Sequence, residues 1–556
     1  DEAGGWHRRG FDFGSTGDAG QPFSLGALGA LEISDLTLDV VDAQRGLNLR
    51  LAAPVMRLLN RGATTRVLAR VRMADAPESP PLDVVADLDL NARSGDLYVG
   101  GRDIDLGRFA GGQAPAGIEF AAGHGAVQLW AHVDAARVDD VRLRVDLRDA
   151  RFGAASPLEV DAGTVVAPRV GYDRLAFVAR WLRDADGWTF DLADFVAGSD
   201  AAATPARLTV ERRGDDAHPR WRAGARAFPL QPPGDFAMLA DALPAGLRRW
   251  LYLAHPRGTL VQAEFAWNDA ADYELSGELR GIGFASADFA PGIGHLDLDL
   301  HGDAQALLLQ LPRQPLRIDS PRIFRRPLAF AQFGGDVVVR RAEGAWNIAT
   351  DRVGFEGEGY GGELRGRLEL RAGQPPFADL YASVTHGDVV AAKLFWPTNT
   401  MPPKAIAWLD RALVGGRIVA GSAALRGDLA DWPFHDLGGR MVARAEIADM
   451  TLDYDPAWPR AENVQAVATF VNDGVQVDVA AAESMGNRIS HAEASVPDFG
   501  PLVLDLSAKG EGSGATLLGF LRATPVGRRY QEQLKDIAVG GTGAVAFSLN
   551  LPIKEI

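Results

Sequence analysis

Strand-type alternation runs through this chain almost from end to end, and it limits the folds available more than any other feature. His295-Leu296-Asp297-Leu298-Asp299-Leu300 is one instance, Val141-Arg142-Leu143-Arg144-Val145-Asp146-Leu147 a second, and Val475-Gln476-Val477-Asp478-Val479 a third. A period of two sends alternate side chains to opposite faces of a sheet. One face is apolar and the other charged. Few helical segments interrupt the pattern, so helices cannot cover the apolar face. The sheet must fold over on itself, or something apolar must fill it.

Composition narrows the partners. The 556 residues are 47% hydrophobic, which is enough for a folded chain of several units. A formal net charge of −16 and the lack of a basic patch argue against nucleic acid. With Cys 0, disulfides, thiolate metal sites and thiol nucleophiles are excluded, and either a periplasmic or a cytoplasmic location is allowed. No apolar run is long enough for a membrane-spanning helix, and no signal peptide is visible. The chain reads as part of a longer protein, with any membrane anchor outside it.

Turn signals separate the strands. Asp186-Gly187 and Asn472-Asp473-Gly474 each sit between two strand patterns, as in antiparallel hairpins. The meander is broken by helix-like segments that lead through Gly into a new strand. Pro244 to Leu251 and Pro402 to Leu409 are the clearest; they align without a gap, Trp250 on Trp408 and Leu251 on Leu409. Each has Pro near its start, where a missing N–H costs little. Pro525 to Leu534 is a third crossing and Leu106 to Phe109 a shorter fourth. The expected division is 1–125, then 126–258 with a helix near 235–255, 259–416 with one near 398–413, and 417–556 with one near 515–537, all in one rod. Some 25–30 strands would span roughly 120–145 Å at the usual strand spacing.

Catalytic signatures are missing. The ten His form no metal-binding pattern, so neither metal nor cofactor is expected, and there is no nucleophile elbow or phosphate-binding lysine loop. Gly357-Glu358-Gly359-Tyr360-Gly361-Gly362 has dinucleotide-loop spacing, but the following Glu363-Leu364-Arg365-Gly366-Arg367-Leu368 alternates as a strand, so a Gly-rich hairpin is expected. Single Trp residues read as packing anchors. The chain is not expected to be an enzyme.

The block from Trp408-Leu409-Asp410-Arg411-Ala412-Leu413 through Gly415-Gly416-Arg417-Ile418 to Leu425-Arg426-Gly427-Asp428 and Trp432-Pro433-Phe434 resembles the YhdP branch of the bacterial AsmA-like proteins. Leu452-Asp453-Tyr454 with Trp458-Pro459, Ser320-Pro321-Arg322-Ile323-Phe324, Ala185-Asp186-Gly187-Trp188 and Thr524-Pro525-Val526-Gly527 extend the likeness over nearly the whole length. One departure is Phe395-Trp396-Pro397, where the family often has Tyr-Leu-Pro. The resemblance implies the periplasmic part of an inner-membrane-anchored protein of Gram-negative bacteria. It implies a mainly β fold: a long twisted antiparallel sheet bent into a taco-like hydrophobic groove along which phospholipids move toward the outer membrane. It also implies a role in the outer-membrane permeability barrier and contact with other envelope proteins.

Apolarity selects the candidate lining: Leu36, Leu38 and Val40; Val127, Leu129 and Val133; Val141, Leu143, Val145 and Leu147; Leu296, Leu298 and Leu300; Val475, Val477 and Val479; Leu502, Leu504 and Leu506. Trp250, Leu251, Trp408 and Leu409 are expected at the seam, as covers or as caps. An open seam leaves headgroups in water and implies weak headgroup selectivity. The competing reading is a structural or scaffolding β-repeat protein whose apolar faces close into a dry core.

Overall fold

The computed structural model describes residues 29–552 apart from 43–46, 90, 106, 108–114, 199–204, 270–271, 288–289, 343, 400, 435–437 and 500–501, together with the short strands His7–Arg8 and Phe11–Asp12. One antiparallel sheet of 26 strands runs from Ala30–Asp42 to Thr542–Pro552. Strands pair in chain order, and among the described residues two small hairpins stand apart, His7–Arg8/Phe11–Asp12 and Leu158–Asp161/Thr164–Val166. The first and last strands each pair on one side only among the described residues, so the sheet is not closed into a barrel. At the usual strand spacing it is about 120 Å wide. The accessible surface is 33686 Å² for a chain of 59.3 kDa, against roughly 19000 Å² for a compact monomer of that mass. That excess belongs to a long open sheet.

Pairing in chain order has a topological consequence. Successive connections alternate between the two rims of the sheet. On one rim they are tight, such as 62–63, 135–136, 184–186, 304–305 and 472–473, with 429–439 the longest. The other rim carries the long connections, including 155–168, 230–256, 389–412, 453–460 and 514–541. All six α-helices found among the described residues lie there: α1 (Gln231–Leu239), α2 (Ala245–Ala254), α3 (Pro403–Ala412), α4 (Gly514–Ala523), α5 (Pro525–Arg529) and α6 (Gln531–Leu534). Eight strands separate α2 from α3 and six separate α3 from α4. An even number returns the chain to the same rim each time. The expected fourth crossing at Leu106–Phe109 lies mostly outside the described residues. The Gly-rich segment is a hairpin: Glu358-Gly359 joins Ala345–Gly357 to Tyr360–Arg371, with Gly359 at φ 75.

The sheet is bent by a recurring local device. Asp35, Asp103, Asp149, Asp194 and Asp449 sit inside strands with φ between 52 and 60. Asp tolerates this left-handed conformation better than most residues because its short polar side chain bonds locally. Each occurs in the same four-residue frame: Ile33-Ser34-Asp35-Leu36, Gly101-Arg102-Asp103-Ile104, Leu147-Arg148-Asp149-Ala150, Leu192-Ala193-Asp194-Phe195 and Ile447-Ala448-Asp449-Met450. Ala227 (φ 50) and Gly281 (φ 64) fill the same place before Phe228 and Ile282. All seven belong to strands running toward the helix rim. A left-handed residue bends the strand, as in a β-bulge. It also shifts the alternation by one, so the residue two before it and the residue just after it face the same way. Leu147 and Ala150, and Leu192 and Phe195, accordingly meet in one cluster. A row of such bends across the sheet folds it lengthwise into a trough.

Candidate apolar groove

Paired residues on neighbouring strands point to the same face. One such row runs Ile33–Met56–Ala69–Val84–Val99–Leu129–Leu143–Ala179–Leu192–Leu208–Ala225–Ala263–Gly277–Leu300–Leu309–Val337, over sixteen consecutive strands of the sheet. Every member is apolar or Gly. On the strand Leu328–Ala342 the stripe steps from Val337 to Phe333 and continues Phe355–Gly362–Val384–Gly421–Ala445–Ala468–Val477–Ala494–Leu506–Leu549 to the last strand. The apolar stripe is therefore unbroken across the whole sheet.

The opposite face is polar and laced by cross-strand ion pairs. Arg66 donates to both oxygens of Asp87 at 2.6 and 2.7 Å, Arg174 to Asp146 at 3.0 Å, Arg180 to Asp140 at 2.8 Å through Nη2, and Arg280 to Asp299 at 2.6 Å. The Arg180 guanidinium holds the Asp140 carboxyl below the usual carboxylate range, and Arg66 does the same to Asp87. Exposed pairs of this kind add little stability. Their effect is to keep one face wet while the other stays apolar.

Most expected lining residues fall on the apolar face. Leu129, Leu143, Leu300, Val477 and Leu506 are in the stripe itself, and Val141, Val145, Leu147, Leu298, Val475, Val479 and Leu504 flank it on their strands. Val127 packs beside Val145, and Leu296 pairs with Ile282. Val133 pairs with Gly95 where the sheet meets its tight-turn rim. Leu36 and Leu38 join the face through the shift at Asp35, and Leu38 remains 42% exposed. The Val40 side chain lies outside what the structure describes. Leu502 departs from the expectation: it sits in the turn before Val503–Ser513 at φ 49, so the strand alternation does not include it.

The helices treat the groove in two different ways. α1 and α2 pack into it. Phe236, Met238, Leu239, Leu251 and Tyr252 share one cluster with Val145, Leu147, Tyr172, Leu175, Phe195 and Phe228 of the sheet. Arg248, nearly buried, fixes the pair: it donates to the Met238 carbonyl at 2.9 Å and pairs with Asp241 at 3.0 Å, and Asp241 accepts from Ser156 at 2.8 Å. The Tyr172 hydroxyl donates to Asp235 of α1 at 2.9 Å, and burial pushes the Asp235 carboxyl up from its ordinary value. Trp250 meets the Phe284 ring edge-on at 5.8 Å. α3 instead stays on the rim. Trp408 donates to the Tyr454 carbonyl at 2.9 Å, Arg325 donates to Asp410, and Leu409 is half-buried. The cluster below, Val389, Met450, Val464, Ala466 and Ala482, contains no α3 residue.

The bend residues were missed by reading alternation alone. Their signal was present as an apolar residue, any residue, Asp, then an apolar residue within a strand, which strict alternation treats as an error.

The model of the YhdP protein family matches residues 11–555, nearly the whole chain. The chain belongs to the YhdP family. No curated protein and no solved structure matches it. Membership in the YhdP family makes this a bacterial envelope protein and is consistent with a lipid-transport type. Among the described residues no helix is long and apolar enough to cross a membrane.

Proposed function

We propose that this YhdP-family chain is a periplasmic conduit that carries phospholipids in its groove between the inner and outer membranes, and that it is a carrier and not an enzyme. The observation behind this reading is the apolar stripe, unbroken over 26 strands. A phospholipid exposes about 30 methylenes at about 0.8 kcal/mol each, so leaving a bilayer for water costs on the order of 20 kcal/mol. A trough that offers apolar contact at every step removes most of that cost along the whole path, with no deep minimum in which a lipid would stall. The charged outer face keeps such a rod in solution. Family membership supports an envelope setting; attachment to the inner membrane by a segment outside this chain, and contact with other envelope proteins, belong to the same proposal.

The α1–α2 cluster supports a second reading for one segment, since a packed apolar core there is what a purely structural β-repeat protein would show. Native mass spectrometry of the purified chain, with solvent extraction of what co-purifies, separates the two. Several phospholipids per chain are expected. A lipid-free mass, under conditions that preserve lipid on a known carrier, would overturn the conduit and leave the scaffold.

A further inference from the structure

Beside the segment covered by α1 and α2, the inner face ends at the tight-turn rim in a row unlike the stripe. Arg183, Trp188, Arg212, Trp221, Trp267 and Tyr273 are paired in sequence across six consecutive strands. Each lies four residues from the stripe member on its own strand, with no register shift between. All therefore share the stripe's face, about 13 Å nearer the rim. The Trp221 ring stands edge-on to Trp188 at 5.5 Å and stacks on Trp267 at 6.0 Å. Trp267 is 40% exposed. Arg183 has no ion-pair partner among the described residues, while Arg212 lies half-buried between Trp188 and Trp221 in the row and donates to Asp216 at 2.6 Å.

Packing alone does not require this chemistry. Indole rings with a wet edge, interleaved with guanidinium groups, suit a boundary between hydrocarbon and water. We propose that this lip is a headgroup site, with the indoles at the level of a phospholipid's glycerol esters and Arg183 and Arg212 toward its phosphate. It rests on the conduit reading, and it names where the cargo is held by its polar end. The position follows from α1 and α2. They occupy the groove on the helix rim, so acyl chains on the stripe are displaced toward the tight-turn side, and the headgroup must cross the lip. The turns just beyond carry Asp184, Asp186, Asp215 and Asp216, with Asp184 paired to Arg213. Cation inside and anion outside matches a zwitterion, phosphate first and ammonium beyond, better than an anionic headgroup. The weak headgroup selectivity implied by an open seam is then modified at one place.

The test compares two probes with identical chains, dioleoyl phosphatidylethanolamine and dioleoylglycerol, loaded from vesicles and counted by native mass spectrometry. Wild type should favour the phospholipid. Arg183→Gln should reduce that preference about threefold to tenfold, the scale of one charge-assisted hydrogen bond at a partly exposed site, with diacylglycerol uptake unchanged. Trp221→Leu keeps the apolarity and should act in the same direction, and it serves if the Arg variant is unstable. Equal uptake of both lipids by wild type and variants would overturn the lip and leave the conduit standing. Uptake of neither by wild type would overturn both.

Discussion

Two stretches of the same sheet share one strand pattern and differ in what covers it. In the first, α1 and α2 are inserted, and Leu147 and Leu239 are 3% and 0% exposed. Around α3 the helix remains on the rim, and toward the last strand Phe547 is 52% and Leu549 44% exposed. The strands of the two stretches could be exchanged by eye. The helices could not: α1 offers Phe236, Met238 and Leu239 to the groove, whereas α3 spends Trp408, Asp410 and Arg411 on the rim loop and its neighbours. An apolar strand face thus becomes core or open surface according to the connection that follows it.

The largest contrast should come from placing a charge in each stretch. Leu147→Arg puts an unpaired cation in the packed cluster and should cost about 3–5 kcal/mol, enough to melt that segment. Leu298→Arg, on Gly292–Asp303 outside the α1–α2 cluster, should leave the melting curve nearly unchanged and abolish lipid occupancy and transport in cells. Scanning calorimetry with lipid extraction checks both. Transport that continues with a folded Leu298→Arg protein would remove Leu298 from the path.

A milder version truncates the helix side. Leu239→Ala should cost about 2–5 kcal/mol and raise hydrogen exchange in α1 and in Arg137–Ala154, with no change near Met450. Exchange that rises equally in both stretches would mean that the cover and the open groove unfold as one unit.

The bend residues should behave alike in both stretches. Asp149→Val and Asp449→Val each force a branched side chain into the left-handed region, at about 1–2 kcal/mol. Gly at either position should be tolerated. Asp449 should show the larger loss on removal of its side chain, because it also accepts hydrogen bonds from Arg417 and from Gln465, the latter at 3.1 Å. Equal melting temperatures for the Val and Gly variants would show that the strand bends without a left-handed residue.

The smallest effect is electrostatic and confined to the covered stretch. Burial raises the Asp235 carboxyl, while the Tyr172 hydrogen bond and the charge of His255 act against the rise. A carboxyl raised on folding gives stability that is full below its unfolded value, about 4, and lost as pH rises through the folded one. The docking of α1 should accordingly weaken from acid toward neutral pH. Asp235→Asn keeps an acceptor for Tyr172 and should flatten that dependence, with a melting temperature at neutral pH equal to or above wild type. A dependence as steep in the variant as in wild type would assign it to another group.

Much of the architecture was legible before any coordinates. Alternation in Val141–Leu147, His295–Leu300 and Val475–Val479 marks a face on each strand, and the Asp-Gly and Asn-Asp-Gly turns mark antiparallel neighbours. Those two local facts are enough for a long meander, and the family likeness bent it into a trough. Leu502 shows the limit of the method, since an apolar residue at the right spacing lay in a turn. Trp250 and Trp408 show another, for aligned residues in aligned helices ended in different surroundings.

By itself the sequence determined strand identity, face and neighbour, because alternation and turn chemistry act over a few residues and do not depend on the rest of the chain. Tertiary structure alone decided that the apolar faces of 26 strands join into one stripe, that left-handed residues fall in register to fold the sheet, and that α1 and α2 enter the groove while α3 does not. The Asp of each bend has a local signature, but its register across the sheet, the joined stripe and the entry of α1 and α2 depend on side chains from distant strands competing for the same apolar surface, and that competition has none.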